Sequence, residues 1–289
     1  MSGMDMPLFK ASEDCKRYDE LLHYTSFDVL KIILSNRTIK CNSLGLVNDR
    51  LEQSRNGIED LAKGFYISSF CHYRYEIVPF WFLYGGNVNQ EKVLFRFRNF
   101  AAWLEYAIES DWAWTSEKKV IYFDEHKLFQ SHAGNLSFNP VSDPRIEMRQ
   151  VIRTIRLFDV EYRLPGDEVF SKEYAEPGSI SFDGGESYFP VAQKDVRTVG
   201  LHKTIHWEYE AETRLKCMMS TITAPYFDFL LLRLKDEVFR DLKIVANPWA
   251  TDSFIERIQN EVDRSTLPPE IKDSIVICRS ELDGQIISM

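Results

Sequence analysis

The chain has 289 residues, a hydrophobic share of 44% and a net charge of −9, which excludes a largely unfolded chain and argues against non-specific attraction to nucleic acid. Its five cysteines include no C-x-x-C pair, so neither a disulfide framework nor a zinc site is indicated. No apolar run reaches the roughly 20 residues of a membrane span, and the N-terminus lacks a signal-peptide pattern, so we expect a cytoplasmic protein without membrane contact.

The first predicted elements follow a polar N-terminal extension over residues 1–20. The run "LLHYTSFDVLKIILSN" predicts a short strand that turns into a helix, with Thr25 and Asp28 at the spacing of a capping box. The runs "TIKCNS", "GFYISSFCH" and "EKVLFRFR" predict strands, and "VPFWFLYGG" predicts an apolar turn or helix closed by glycines. Helices are predicted over residues 48–63 and 99–110.

Strands dominate the second half of the predicted domain. "KKVIYFDE", "IRLFDVEYR", "AETRLKCMMS", "YFDFLLLRL", "LKIVANP" and "SIVICRS" predict strands, and helices are predicted over 191–205 and near 251–263. Residues 125–145 are predicted as loop, and the acidic, Pro- and Gly-rich insert 164–190 as a long loop. We therefore predict one α+β domain over residues 21–289, with a strongly bent or split β-sheet and flanking helices.

The run "TIHWEYEAETR" at 204–214 holds three alternate carboxylates. In an extended strand, Glu208, Glu210 and Glu212 would project from one face. One interpretation is a surface strand whose solvated glutamates pair with Arg214 or Lys216. The other is a face of an active site.

Two earlier runs carry polar groups that suit a nucleotide. In "LLHYTS", His23 and Thr25 share a side that suits the hydroxyls of a ribose, although taken alone the pair is more often a helix cap at Thr25 and a hydrogen-bonded strand-end histidine at His23. In "FYISSF", Tyr66 and Ser68 share a strand face that can stack a flat ring and hydrogen-bond its amide, the plain alternative being a half-exposed strand.

Other candidate sites have weaker signatures. In "FWFLYGG", Trp81 and Tyr84 could wall a pocket beside glycines that allow close backbone approach, or belong to the core before a turn. This run lacks the Lys and Ser/Thr of a phosphate-binding P-loop. His202 and His206 have metal-ligand spacing for a helix, but no Glu follows His202, so we interpret them as structural and expect no metal.

Three segments in order, "LLHYTSFDVLKIIL…TIKCNSLGLVNDRLEQ", "FYISSFC…FWFLYGG…KVLFRFR" and "HKTIHWEYEAETRLK", resemble the bacterial domain-of-unknown-function family 2971. Its pattern runs H-Y-T before a helix, then an aromatic and serine strand before W-x-x-Y-G, then W-x-Y-E-x-E-x-R. The resemblance covers about residues 21–280. This family looks like a divergent branch of the ADP-ribosyltransferase fold, a split β-sheet that holds NAD in a central cleft.

The resemblance implies a role for each matching residue. Glu212 would be the catalytic carboxylate, Glu210 its companion, and Arg214 would orient a carboxylate or phosphate. For NAD as substrate, His23 would hydrogen-bond the ribose with Thr25 close by, and Tyr66 and Ser68 would flank the nicotinamide. Tyr24, Trp81 and Tyr84 are further residues expected to bind NAD. Cleavage of the nicotinamide–ribose bond builds positive charge on the sugar, which a carboxylate at its 2-hydroxyl stabilises.

We therefore expect an NAD-dependent ADP-ribosyltransferase-like enzyme that modifies a macromolecule, in the setting of a toxin or phage-defence effector with a partner or inhibitor protein. The acidic chain favours a protein or small-molecule acceptor over nucleic acid. A local basic groove such as Arg96 with Arg98 would reverse this, although such a cluster is more often a solvated face. The alternatives are an NAD glycohydrolase, a nucleotide-sensing module without turnover, and an interaction module.

Overall fold

The computed structural model describes residues 9–11, 18–47, 62–84, 91–98, 100, 108–118, 120–123, 146–167, 178–182, 185–189, 199–221 and 227–285. In these residues the protein is mixed α/β, with a large mixed sheet and few helices, which is compatible with the predicted α+β class. The chain divides into a first unit of residues 1–10, 40–68 and 110–232 and a second unit of residues 11–39, 69–109 and 233–289. The prediction of one domain stays a prediction.

The described strands, in chain order, are β1 (Phe9–Ala11), β2 (Glu20–Ser26), β3 (Thr38–Ser43), β4 (Phe65–Cys71), β5 (Lys92–Arg98), β6 (Ile108–Thr115), β7 (Val120–Phe123), β8 (Ile146–Asp159), β9 (Glu161–Arg163), β10 (Gly178–Phe182), β11 (Gly185–Phe189), β12 (His202–Thr204), β13 (Glu212–Thr221), β14 (Phe229–Leu234), β15 (Lys243–Ala246) and β16 (Val276–Arg279). Most of the described strands were predicted, but β1, β6, β10, β11, β12 and the first part of β8 were not.

The described helices are short apart from two. The α-helices are α1 (Phe27–Asn36), α2 (Val78–Leu83), α3 (Asp252–Arg264) and α4 (Pro269–Lys272), and the 3₁₀ helices are Leu44–Leu46, Ile205–Glu210 and Asp236–Phe239. The predicted cap of α1 was one residue early, because the Ser26 hydroxyl, not Thr25, accepts the Val29 N–H. None of the described helices has the length and apolar character needed to cross a membrane.

The first unit is organised around β13. This strand pairs antiparallel with β8, from Thr213 opposite Asp159 to Thr221 opposite Gln150, and it also pairs with β4. Further strands follow in the order β8, β7, β6, β14, β3, β4, and the short strands β12 and β9 pair in parallel. A buried apolar cluster of this unit comprises Leu44, Ala62, Phe65, Ile67 and Val199.

The second unit is built on β2, which pairs antiparallel with β5 and with the end of β4. The sheet continues through β15, antiparallel to β5, and β16, parallel to β15. Phe70, Phe97 and Phe100 contact one another in its core, and the rings of Phe27 on α1 and Phe254 on α3 meet edge to face with centroids 5.2 Å apart.

The structure corrects several local predictions. The insert 164–190 contains an antiparallel hairpin of β10 and β11, so it is not a continuous loop. The helix predicted over 191–205 is wrong for residues 202–204, which form β12, because pairing with the sequence-distant β9 decides their conformation. Residues 108–110 of the helix predicted over 99–110 belong to β6. Residues 125–145, 191–198 and most of 48–63 lie outside the described residues.

Candidate functional site

The three alternate glutamates do not share one strand face. Residues 205–210 form a 3₁₀ helix, Ala211 adopts a left-handed conformation with φ 39°, and only Glu212 begins β13. A left-handed alanine costs about 1–2 kcal/mol, so the surrounding contacts must hold it. The turn leaves Glu208 exposed and buries Glu210 and Glu212.

The buried glutamates belong to an ion cluster, which we define as Lys203, Glu210, Glu212 and Arg214. The Lys203 Nζ lies 2.6 Å from Glu210 Oε2 and 2.9 Å from Glu212 Oε2, so one ammonium bridges both carboxylates. The side chains of Glu210 and Glu212 are 5% and 4% exposed. The interpretation of a surface strand with solvated glutamates is therefore wrong for this pair.

Arg214 fixes the orientation of the Glu212 carboxylate. Its Nε donates to Glu212 Oε1 at 2.7 Å and its Nη2 to Oε2 at 3.0 Å, a two-point pairing that sets both distance and plane. Its Nη1 donates to the Gly200 carbonyl at 2.6 Å. Gly200 has φ 73°, and a Cβ there would lie 3.1 Å from the Leu44 side chain, so a larger residue at this position would be strained.

The backbone of Glu212 is held as firmly as its side chain. Its N–H donates to the Tyr162 hydroxyl at 2.8 Å, and its carbonyl accepts the Val160 N–H at 2.8 Å. Burial raises the pKa of Tyr162, so the phenol stays protonated. The next residue, Thr213, donates its hydroxyl to Asp159 at 2.6 Å. The start of β13 is thus a rigid platform for the carboxylate.

The ion cluster balances two cations against two anions away from water. Taking such charges out of water is costly, and only close pairing and further hydrogen bonds offset that cost. The contacts of Lys203 and Arg214 supply both. Charged side chains are almost never fully buried unless paired, and this cluster holds the glutamates of the sequence motif, so we take it as the candidate site.

Lys216, the other cation that the surface-strand interpretation named, lies two residues beyond Arg214 and is buried. Its Nζ donates to the Val199 carbonyl at 2.6 Å and lies 4.8 Å from the centre of the Phe65 ring. Burial, together with the neighbouring cations Arg156 and Arg214, lowers the pKa of Lys216 to about 7.

The lowered pKa predicts a pH-dependent stability difference between the wild type and Lys216→Met. Between pH 7 and the ordinary lysine range the unfolded chain holds a proton that the folded chain has lost, so wild-type stability rises with pH. Relative to the variant, we expect a rise of up to about 1.4 kcal/mol per pH unit in chemical denaturation. Lys31→Met, at an exposed site, is the control. If the stability of Lys216→Met and of the wild type changed in parallel with pH, the lowered pKa of Lys216 would be contradicted.

The first unit also holds the two residues expected at the nicotinamide. Tyr66 is fully buried, and its hydroxyl accepts the Phe227 N–H at 3.1 Å. The Ser68 hydroxyl is buried and makes no hydrogen bond within the described part of the chain. Both faces of this part of β4 are buried, so the half-exposed strand of the plain alternative is wrong for Tyr66 and Ser68.

The second unit holds the residues expected at the ribose. The His23 Nδ1–H donates to the Ser69 carbonyl at 3.0 Å, and the ring lies 5.4 Å from that of Phe70. Burial lowers the pKa of His23, against the opposing effect of the Ser69 bond, which favours a neutral imidazole. Thr25 is buried on the same strand.

The remaining expected residues form an aromatic core in the second unit. Tyr24 meets Trp81 and Phe80 edge to face, and Phe80 meets Tyr84 in the same way. Trp81 is fully buried and its indole N–H donates to Glu76 at 3.1 Å. Trp81 thus packs in the core of the second unit, and its role in a pocket wall stays a prediction.

The structure therefore groups the expected residues in two sets. Glu210, Glu212 and Arg214 meet in the first unit, which also holds Tyr66 and Ser68, whereas His23, Tyr24, Thr25, Trp81 and Tyr84 belong to the second. Sequence reasoning missed Lys203, which bridges the two glutamates. The only sequence feature that could have indicated Lys203 is its position between the polar residues His202 and Thr204, and an exposed turn would show the same pattern.

Comparison with protein-family models, curated proteins and solved structures gives no match for this chain. Among the described residues, no group of His, Cys, Asp and Glu side chains is arranged to hold a metal ion.

Proposed function

We propose that this protein is an NAD-dependent ADP-ribosyltransferase-like enzyme that transfers ADP-ribose to a macromolecular acceptor, a protein rather than a nucleic acid. The observation that supports it is the Glu212 carboxylate, held at two points by Arg214 and joined to Glu210 through Lys203. This is the pair of glutamates that the sequence motif singles out.

The proposed reaction uses the two carboxylates differently. The bond between nicotinamide nitrogen and ribose breaks, and its electron pair leaves with neutral nicotinamide. The sugar gains positive charge, which Glu212 stabilises through a hydrogen bond from the 2-hydroxyl that strengthens as the charge grows. Glu210 accepts the proton of the acceptor nucleophile as the new bond to the sugar forms.

NAD must open the ion cluster before it can react, because both carboxylates are almost fully buried. Lys203 is the element that must move, since its ammonium covers Glu210 and Glu212 together. The diphosphate of NAD offers that ammonium an alternative anionic partner. Binding of the substrate would then expose the carboxylates that the reaction needs.

A nucleotide-binding module without turnover is the second candidate. It is favoured by the charge balance of the ion cluster, whose carboxylates are already paired when no nucleotide is bound. In this case NAD or a related nucleotide would bind and dissociate unchanged, and the cluster would serve only to hold the start of β13.

The test is nicotinamide release from NAD by the purified protein, with and without bacterial lysate, together with calorimetry of NAD binding. Release that lysate stimulates is the expected result, because the lysate supplies the acceptor. Release without an acceptor would identify an NAD glycohydrolase. Binding without release would establish the second candidate, and neither binding nor release would contradict both.

A further inference from the structure

A cleft of about 430 Å³ lies within the second unit, apart from the residues of the ion cluster. It is formed where β2 begins and where β4 and β5 end. The lining residues that matter here are Tyr18, His72, Tyr73, Arg74, Arg96 and Arg98.

Strand pairing explains why basic groups meet here. Leu22 on β2 lies opposite Arg96 on β5, and Glu20 lies opposite Arg98. Because side chains two residues apart share a strand face, Arg96 and Arg98 project on the same side. Leu22 also lies opposite Cys71 on β4, which brings the chain beyond β4 to this end of the sheet.

Arg96 is a fixed part of the cleft. Its Nε donates to Glu20 at 2.9 Å, its Nη2 donates to the Arg74 carbonyl at 2.9 Å, and its Nη1 donates to Glu281 at 3.3 Å. Two of these partners are carboxylates, so the charge of Arg96 is already balanced and its role is to fix one wall of the cleft.

Arg74 and Arg98 supply the cations that a ligand can reach. Both are exposed, and neither side chain is hydrogen-bonded or ion-paired within the described part of the chain. The acidic residues of the lining are Asp19 and Glu20, and Glu20 is already bound by Arg96. Arg74 and Arg98 therefore have one other lining carboxylate, Asp19, beside them, in a chain of net charge −9.

Aromatic rings stand beside these cations. The rings of Tyr18 and His72 are stacked, with centroids 4.5 Å apart and planes inclined by 6°, and Tyr73 follows directly. Flat rings next to arginines are the combination that binds nucleobases and phosphates together. Neither an isolated phosphate nor an apolar ligand would use both features.

We propose that this cleft binds a nucleoside monophosphate, with the phosphate at Arg74 and Arg98 and the base on the Tyr18, His72 and Tyr73 rings. Its volume lies at the lower end of the range of about 300–1,000 Å³ for ligand sites, which suits a mononucleotide better than a dinucleotide. The site does not depend on NAD cleavage, because no residue of the ion cluster lines it.

Calorimetry with AMP at low ionic strength tests the proposal on the full chain. We expect the double variant, Arg74→Gln with Arg98→Gln, to bind AMP at least about tenfold more weakly than the wild type, because two charge-assisted hydrogen bonds to the phosphate are lost. Arg257→Gln is the matched control, since it removes an exposed arginine of the same unit that pairs with Glu91. That control should bind AMP as the wild type does.

A second variant separates base from phosphate. Tyr18→Ala should weaken AMP binding about fivefold or more and leave inorganic phosphate binding unchanged, since stacking involves only the base. Three results would overturn the proposal. The wild type could fail to bind AMP, the double variant could bind AMP as tightly as the Arg257→Gln control, or inorganic phosphate could bind as tightly as AMP.

Discussion

Replacing Arg214 with methionine is expected to lower the free energy of unfolding by about 3–5 kcal/mol, the range seen when one partner of a buried ion pair is removed. Arg214 is 1% exposed, and its loss leaves the Glu212 carboxylate without its two-point partner in a place that water does not reach. The Gly200 carbonyl loses a hydrogen bond as well. Chemical denaturation followed by circular dichroism measures the change.

Arg257→Met is the control for this prediction. Arg257 also pairs with a glutamate at 2.5 Å, but both side chains are about half exposed, so we expect a loss of at most about 1 kcal/mol. If both methionine variants lowered the free energy of unfolding by the same amount, the buried pairing of Arg214 with Glu212 would contribute no more than an exposed ion pair.

Replacing Lys203 with methionine is expected to cost about 3 kcal/mol, because the two carboxylates that it bridges then face each other with one cation fewer. The cost should depend on the charge of Glu210. In a Glu210→Gln background, we expect the same lysine substitution to cost at least about 1 kcal/mol less, since only one carboxylate then needs a partner.

Unfolding of the four proteins of this double-mutant cycle gives the coupling directly. The single variants, the double variant and the wild type are compared under one set of conditions, so effects on the unfolded chain largely cancel. Additive costs would contradict the bridging role of Lys203 and leave it as an ordinary buried lysine.

Strand positions were predictable because each strand carries its signal locally. β3 matches the predicted "TIKCNS" at both ends, and β5 follows from the strict alternation of "EKVLFRFR". The hairpin of β10 and β11 and the strand β12 were missed for the opposite reason. Their sequences are polar or short, and pairing with another strand decides their conformation.

The candidate site was predictable in part for a similar reason. Charged residues at 210, 212 and 214 lie within five residues of chain, so the sequence already places them near one another. In the structure Arg214 pairs with Glu212, and Lys203 joins Glu212 to Glu210. Their arrangement was not predictable, because it depends on the left-handed Ala211 and on Lys203 from a neighbouring strand. Only tertiary contacts stabilise a non-glycine residue in that conformation.

Nicotinamide release from NAD by Glu212→Gln, beside Glu208→Gln, is the most direct test of the proposed enzyme. Glu208 is an exposed carboxylate on the same segment, so its variant controls for the loss of charge. We expect Glu208→Gln to keep wild-type activity and Glu212→Gln to lose at least about 100-fold, the scale of one transition-state contact, with both proteins folded by circular dichroism. Equal release by the two folded variants would contradict the assignment of Glu212 as the catalytic carboxylate.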